Sequence, residues 1–505
     1  MVDKHVKHLE HRKQICRSRT SMNADTRVKV KNISFYTLVM VFSILLPVVL
    51  DLGVLSPLVD ATFKDRKLFE FFGLSGFLAV VMAIIWTIKQ NRPADLLGYA
   101  EVLLPAFIAL IWLNTLTERT FKDWDYVCYE DAAKFLLNGK NPYEGSLDCY
   151  FYPPLLVLAL SKAYHVMQFA VAHLHGFPLE SEKAWTLIFY LYQCLQWFLV
   201  ILAFFLGCRL AEKFGLPKNV SSGVVTLLFI LNNPLLRTLH FFQINLWILT
   251  IAMLVLLYNA SHPFISGLLA ALGAHIKLYP TAFVASWGLL KDKRALAGFA
   301  LGILLPLALI HGSFGSSSIW RQFIEQDPSN AGGYKLRDNS LHSLIYNSLR
   351  ITNVIQPGDL NSRVPETMTS FFTVLVLLWF LIRLTLRYRM LMKAQDPEPL
   401  NSFIRDGMFV DMVGLMLLAS PVAWEHHYVL AIPVFLWTLA LQLKEGQLPI
   451  ASFLAFLFIF ALPTFDVFPF SYLRLTGLLI LLVISDPIAI TKRSMMLEAP
   501  KTVRL

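Results

Sequence analysis

A carboxylate at Asp125, a lysine at Lys277 and adjacent histidines at His426 and His427 are placed where they could do chemistry, each at the edge of an apolar run. In DWDYVCYEDA, a helix from about Asp125 would put Asp125, Tyr129, Ala132 and Leu136 on one stripe, and Asn138-Gly139 would end it. A carboxylate there can serve as a general base; it can equally cap the helix or answer its dipole. Asp123 lies about 200° away around such a helix, so the two acids do not face one ligand, and an Asp-x-Asp metal site is not expected. Lys277, in HIKLYP, can meet a phosphate as a point charge or snorkel to lipid headgroups. His426 and His427, in WEHHY, point about 100° apart on a helix and make poor joint metal ligands; one imidazole beside a phosphate suits them better. Trp424 and Tyr428 also fit an interfacial aromatic belt. The amides of Gln243 and Asn245, in HFFQIN, can bond sugar hydroxyls or cap a helix, and Asn339 lies in the similar polar string RDNSLH. Tyr152-Pro153-Pro154 opens a further apolar stretch, with prolines suited to a first helical turn.

The elements that must position these groups are membrane helices. Of 505 residues, 56% are hydrophobic and 15% charged, against the roughly 45–50% and 25% of soluble domains. The excess falls into runs of roughly 17–22 residues, enough to cross about 30 Å of hydrocarbon as helices. The ten-residue alternation of a β-barrel is absent. The expectation is an all-α polytopic membrane protein of about 12–14 transmembrane helices with external interfacial helices. Spans are expected near 35–56, 69–88, 99–116, 185–208, 222–236, 244–259, 264–276, 278–290, 295–312, 366–386, 407–420, 426–443, 448–463 and 468–485.

Charge sets the orientation. The first 31 residues carry nine Lys/Arg and three acids, 9 − 3 = +6, which reads as a cytoplasmic tail rather than a nucleic-acid arm. Basic connections at 89–92, 209–218, 291–294, 383–393 and 492–504 join it inside, whereas residues 118–148 hold four bases and seven acids, 4 − 7 = −3, and fall outside. Keeping that parity requires residues 152–173, which include Lys162 and His165, to lie at the outer surface as an amphipathic helix. The expected organisation is a basic tail at 1–34, a membrane domain at 35–485 and a second tail at 486–505. Within the domain, 117–184 form an external catalytic loop with interfacial helices, and 313–365 a further external loop with one helix-like stretch, LHSLIYNSL. With both termini cytoplasmic, every polar cluster above faces outward. A plasma (inner) membrane location is expected. Cys128 and Cys149 share the acidic loop and could pair in an oxidising compartment or remain free thiols.

In order along the chain, Asp125 to Tyr129, Ala132 to Tyr143, Tyr152-Pro153-Pro154, Phe242-Gln243-Ile244-Asn245, Lys277-Leu278-Tyr279-Pro280, Asn339-Ser340-Leu341 and Trp424-Glu425-His426-His427 resemble the motifs of glycosyltransferase family 87. That family belongs to the C-type membrane glycosyltransferases and includes polyprenyl-phosphate-dependent mannosyltransferases and arabinofuranosyltransferases. The resemblance covers about 95–485. It implies the C-type fold, a lipid-phosphate sugar donor (mannose-like hexose or arabinofuranose), an inverting displacement, and a glycolipid or polysaccharide acceptor. It carries the base role to Asp125 and an active-site role to His426. Tyr129, Tyr152, Gln243, Asn245, Lys277, Asn339, Trp424 and His427 become candidate substrate contacts. No metal ligands and no cofactor are expected. Three departures stand out: Phe242 replaces the usual glycine before the glutamine, Ser340 follows Asn339 without an intervening glutamine, and two extra crossings precede the catalytic loop. A secondary transporter would need polar groups at mid-membrane and helices interrupted in paired halves; here only the short pair around Lys277 qualifies. A ligase of lipid-linked sugars is the other alternative.

Overall fold

The computed structural model describes residues 124–144, 149–175, 180–314, 318–325, 338–355, 363–393, 398–464 and 468–488. All of them lie in one compact unit, Thr117–Leu505. The expected spans before residue 117, the first tail, residues 489–505 of the second tail and Asp123 fall outside the described residues.

The described residues are mostly helical and contain no strand, as an all-α polytopic membrane protein requires. The helices are α1 (Trp124–Leu137), α2 (Leu155–His175), α3 (Ser181–Lys213), α4 (Lys218–Ile230), α5 (Asn233–His240), α6 (Asn245–Tyr258), α7 (Pro263–Ala274) and α8 (Phe283–Leu290). They continue with α9 (Lys293–Phe314), α10 (Ser318–Glu325), α11 (Leu341–Ile351), α12 (Arg363–Lys393), α13 (Glu398–Leu418), α14 (Ile432–Lys444), α15 (Ile450–Phe456) and α16 (Leu473–Ile484). Among the described residues five helices are long and apolar enough to cross a membrane, or six if one bent pair counts as a single span.

Burial separates a centre from a lipid-facing rim. The segment Glu425–Lys444 has 94% of its apolar window buried, whereas those of α2, α9 and α12 are 28% buried and turn residues such as Phe169, Leu304 and Leu381 outward. α2 was expected as an interfacial helix; its length and composition suit a crossing equally.

The expected single span at 222–236 is instead two helices, α4 and α5, bent by 53°. The Asn232 side chain accepts from Leu235 N–H at 2.8 Å and caps α5, and Pro234 supplies no N–H to continue α4. The expected break at Lys277 is present: α7 ends at Ala274, a 3-10 turn spans Tyr279–Ala282, and α8 follows.

α7 and α9 approach backbone to backbone. A Cβ on Gly267 would stand 2.0 Å from Ala295 O, and one on Gly298 2.0 Å from Phe264 O, the small-residue packing common between membrane helices. His275 Nε2 lies 3.0 Å from Ile303 O on α9, so this contact fixes the chain just before Lys277.

A second buried cluster joins α12, α13 and α16. Arg383 and Arg387 each lie 2.7 Å from an oxygen of Asp411, and they also donate to Leu482 O and Ser485 O at the end of α16. Both guanidiniums thus neutralise a carboxylate while capping a helix C-terminus.

Candidate active site

α1 begins at Trp124, which places Asp125 in its first turn and half-buried. The helix stops at Leu137, and Gly139 adopts φ 70 as the Asn138-Gly139 pair leads one to expect. Cys128 and Cys149 form a disulfide that ties α1 to the Tyr150–Pro154 segment. Tyr152 is thereby brought over α1: its ring meets Tyr129 edge-on at 5.3 Å, and its hydroxyl donates to Gln243 Oε1 at 3.0 Å. Tyr129 is fully buried among Tyr150, Tyr152 and Tyr192, so it supports Tyr152 from beneath.

Lys277 stands at the centre. Its ammonium donates to Asn245 Oδ1 at 2.9 Å and to His427 Nε2 at 2.8 Å, and it lies 4.7 Å from the Tyr279 ring centroid and 5.7 Å from that of Tyr152. All of these partners are neutral or aromatic, and among the described residues Lys277 makes no salt bridge. Burial pushes the amine down to about 7, while the negative charge of Asp125 pulls it the other way. Asp125 also raises the hydroxyl of Tyr152, after burial, which places the carboxylate within electrostatic reach of both Tyr152 and Lys277. The Nδ2 group of Asn245 is buried and makes no hydrogen bond among the described residues, leaving a donor for a ligand oxygen.

The histidines lie on the 3-10 turn Glu425–Ala431, with rings 4.7 Å apart and nearly perpendicular. His427, rather than His426, meets Lys277; the His426 ring lies beside Phe241. Trp424 and Asn339 do not join this cluster directly. Trp424 pairs with Asp338 through an isolated bridge, Asn339 N–H donates to Ala423 O, and Tyr428 donates to Asn339 O at 2.8 Å. They brace the histidine turn from behind. Asp338 accepts from Ala423 N–H and from Ser340, and burial pushes its carboxyl up to about 6.

Several residues of the site either stood in the quoted motifs without a role, as Glu425 and Tyr279 did, or carried no flag in the sequence. Glu425 is held between Arg474 and Arg237, which orients the start of the histidine turn. Tyr279 exchanges a hydrogen bond with Ser420. Tyr192 and Gln196 reach the turn before Asn245 from α3. Polar side chains inside an apolar helix are a visible signal, and Gln196 has that character. Phe242 in this turn has φ 54, a left-handed conformation costing about 1–2 kcal/mol. Its edge-on contact with Phe189 at 5.0 Å, about 0.5–1.5 kcal/mol, and the buried bond from Tyr192, about 1 kcal/mol, offset that cost.

Among the described residues no three His, Cys, Asp or Glu side chains are grouped to hold a metal ion. Asp125, Tyr152, Gln243, Asn245, Lys277 and His427 thus form one polar site among aromatic walls, with a half-buried acid and a half-buried cation as its charged members.

A sequence model of glycosyltransferase family 87 matches residues 150–421, more than half of the chain. The match includes Tyr152, Gln243, Asn245 and Lys277 and stops short of Asp125 and the histidine turn. No curated protein and no solved structure matches. On its family match and its membrane helices, this chain belongs to glycosyltransferase family 87 and is a membrane glycosyltransferase.

Proposed function

We propose that this enzyme moves a sugar, a mannose-like hexose or an arabinofuranose, from a polyprenyl-phosphate donor to a glycolipid or polysaccharide acceptor by inverting displacement. The observation that carries the proposal is Lys277: a half-buried amine held by neutral groups, within reach of one carboxylate. Such a cation suits an anionic ligand arriving from the membrane edge.

In the reaction, the acceptor hydroxyl gives its proton to Asp125 as its oxygen bonds the anomeric carbon. The carbon–oxygen bond to phosphate breaks on the opposite face, and polyprenyl phosphate leaves with the bonding pair. The charge growing on the phosphate is met by Lys277 and the imidazole of His426, while His427 and Asn245 hold the ammonium in place. Tyr152 and Gln243 line the sugar, and Trp424 and Asn339 support the wall behind the histidines. One displacement needs one base, and this route calls on no cofactor or divalent cation.

The acidic loop around Asp125 and the Cys128–Cys149 disulfide favour an extracytoplasmic site, with both termini cytoplasmic, in a plasma (inner) membrane. On this reading 117–184 form the catalytic loop of the 35–485 membrane domain, and 313–365 a further external loop.

Purified protein in lipid, given radiolabelled polyprenyl-phosphate mannose or arabinofuranose and a panel of glycolipid acceptors, is expected to release polyprenyl phosphate and label one acceptor with inverted anomeric configuration. Transfer only from nucleotide sugars, or gradient-driven uptake without transfer, would reject the proposal.

A further inference from the structure

Tyr192 and Gln196 lie one helical turn apart on α3, both buried, and both aim at the backbone of a single turn. The Tyr192 hydroxyl donates to Phe242 O at 2.7 Å. Gln196 Nε2 donates to that hydroxyl at 2.8 Å and to Gln243 O at 3.1 Å. From the other side the turn closes the end of α5: Gln243 N–H donates to Thr238 O at 2.9 Å, and Phe242 N–H to Leu239 O at 3.2 Å. This is the helix-ending arrangement whose pivot is ordinarily glycine, and here the pivot is Phe242 at φ 54. The Thr238 hydroxyl also lies 3.1 Å from His426 O, so the same helix end touches the histidine turn.

The turn carries much of the site's polar wall. Gln243 accepts from Tyr152, and Asn245, two residues on, accepts from Lys277. A left-handed residue with a side chain persists only where its surroundings over-determine it, and such residues gather where geometry must be pre-set.

We infer that Tyr192 and Gln196 are positioning residues: a clamp that fixes the Phe242 turn and, through Gln243 and Asn245, sets Tyr152 and Lys277 on either side of the substrate. The effect on rate rests on the function proposed above; the clamp itself does not. Removing the Tyr192 hydroxyl lets Phe242 relax towards negative φ, which rotates the peptide ahead of Gln243 and draws its amide from Tyr152. Tyr192→Phe is the sharpest probe, because the ring keeps its packing on Tyr126 and Trp247.

The experiment uses full-length protein in lipid nanodiscs, with Tyr192→Phe made in the natural and in the Phe242→Gly backgrounds. With polyprenyl-phosphate mannose or arabinofuranose, whichever the natural protein uses, Tyr192→Phe is expected to lower kcat about 10- to 100-fold with little change in KM. In the glycine background the same change is expected to cost about twofold or less, since glycine holds positive φ unaided. Equal losses in the two backgrounds, or an unchanged kcat, would overturn the clamp. Hydrogen exchange across 238–245 supplies a readout free of turnover: it is expected to quicken in Tyr192→Phe and to stay level when Phe242→Gly is already present. Exchange that does not move in Tyr192→Phe would also overturn the clamp. A natural protein that transfers no lipid-phosphate sugar would refute the function, and the exchange comparison would still judge the clamp.

Discussion

Among the described residues, the α12–α13–α16 junction and the site around Lys277 hold their charges on opposite principles. At the α12–α13–α16 junction, Arg383 and Arg387 grip one carboxylate, Asp411, and also donate to helix-end carbonyls, and Arg383 lies 3.4 Å from Asp486 as well. The two cations there face two carboxylates, Asp411 and Asp486, so the cluster joins helices. At the site, Lys277 is half-buried, and its hydrogen-bond partners are an amide and an imidazole, with two aromatic rings nearby. A cation drawn partly out of water costs free energy unless it is paired, and holding it with neutral groups leaves part of that cost standing in the resting protein. On the proposed function, the difference separates a cluster that joins helices from one kept ready for an anion.

The largest expected effect would break the junction. Asp411→Asn leaves two buried guanidiniums without their shared carboxylate and is expected to destabilise by about 3–5 kcal/mol, read as a collapse of the melting temperature in detergent. Lys277→Met sharpens the contrast. It is expected to leave the melting temperature level or raised while lowering kcat about 10²–10³-fold, measured with a lipid-phosphate donor. A melting loss as deep as that of Asp411→Asn would erase the distinction between the clusters. Next comes the disulfide, which braces the site covalently. Cys149→Ser is expected to cost about 3 kcal/mol for a loop of 21 residues, followed by thermal unfolding with and without reductant.

The smallest effects are those of pH. The Lys277 amine lies near 7 when folded and near 10.5 when unfolded, so the unfolded chain binds more protons between those values. The penalty of burying the charge is complete below pH 7 and relieved as pH rises to 10.5. This group should therefore raise the melting temperature of the ligand-free protein across that window. Binding of polyprenyl phosphate should run the other way, weakening as pH climbs past 7 and the ammonium is lost. Both slopes are expected to vanish in Lys277→Met, as checked by melting curves and equilibrium binding at a series of pH values.

Much of this was legible in the chain. Apolar run length gave the helical membrane class, Asn138-Gly139 marked the end of α1, and Pro280 with two short apolar runs marked the break at Lys277. The bend between α4 and α5 was harder to read, because the apolar pattern runs through Asn232-Asn233-Pro234 and the capping bond that stops the helix is local geometry. Tyr129 was read as a substrate contact, but it lies under Tyr152, since an aromatic on a polar stripe looks the same from sequence whether it faces a ligand or another ring. The pairing of Cys128 with Cys149 stayed open until α1 and the Tyr150–Pro154 segment were seen side by side. The turn at Phe242 was signalled only by the resemblance, in which Phe242 stands where glycine is usual. Nothing in a phenylalanine announces positive φ, and the hydroxyl that holds it comes from 50 residues away.

The proposed chemistry turns on Asp125, and its isosteric amide tests it most directly. In Asp125→Asn, transfer from polyprenyl-phosphate sugar is expected to fall by about 10²–10⁴-fold, the reach of a general base, while the affinity for polyprenyl phosphate stays within about twofold. Turnover near that of the natural protein in Asp125→Asn would contradict the assignment and send the search for the base elsewhere.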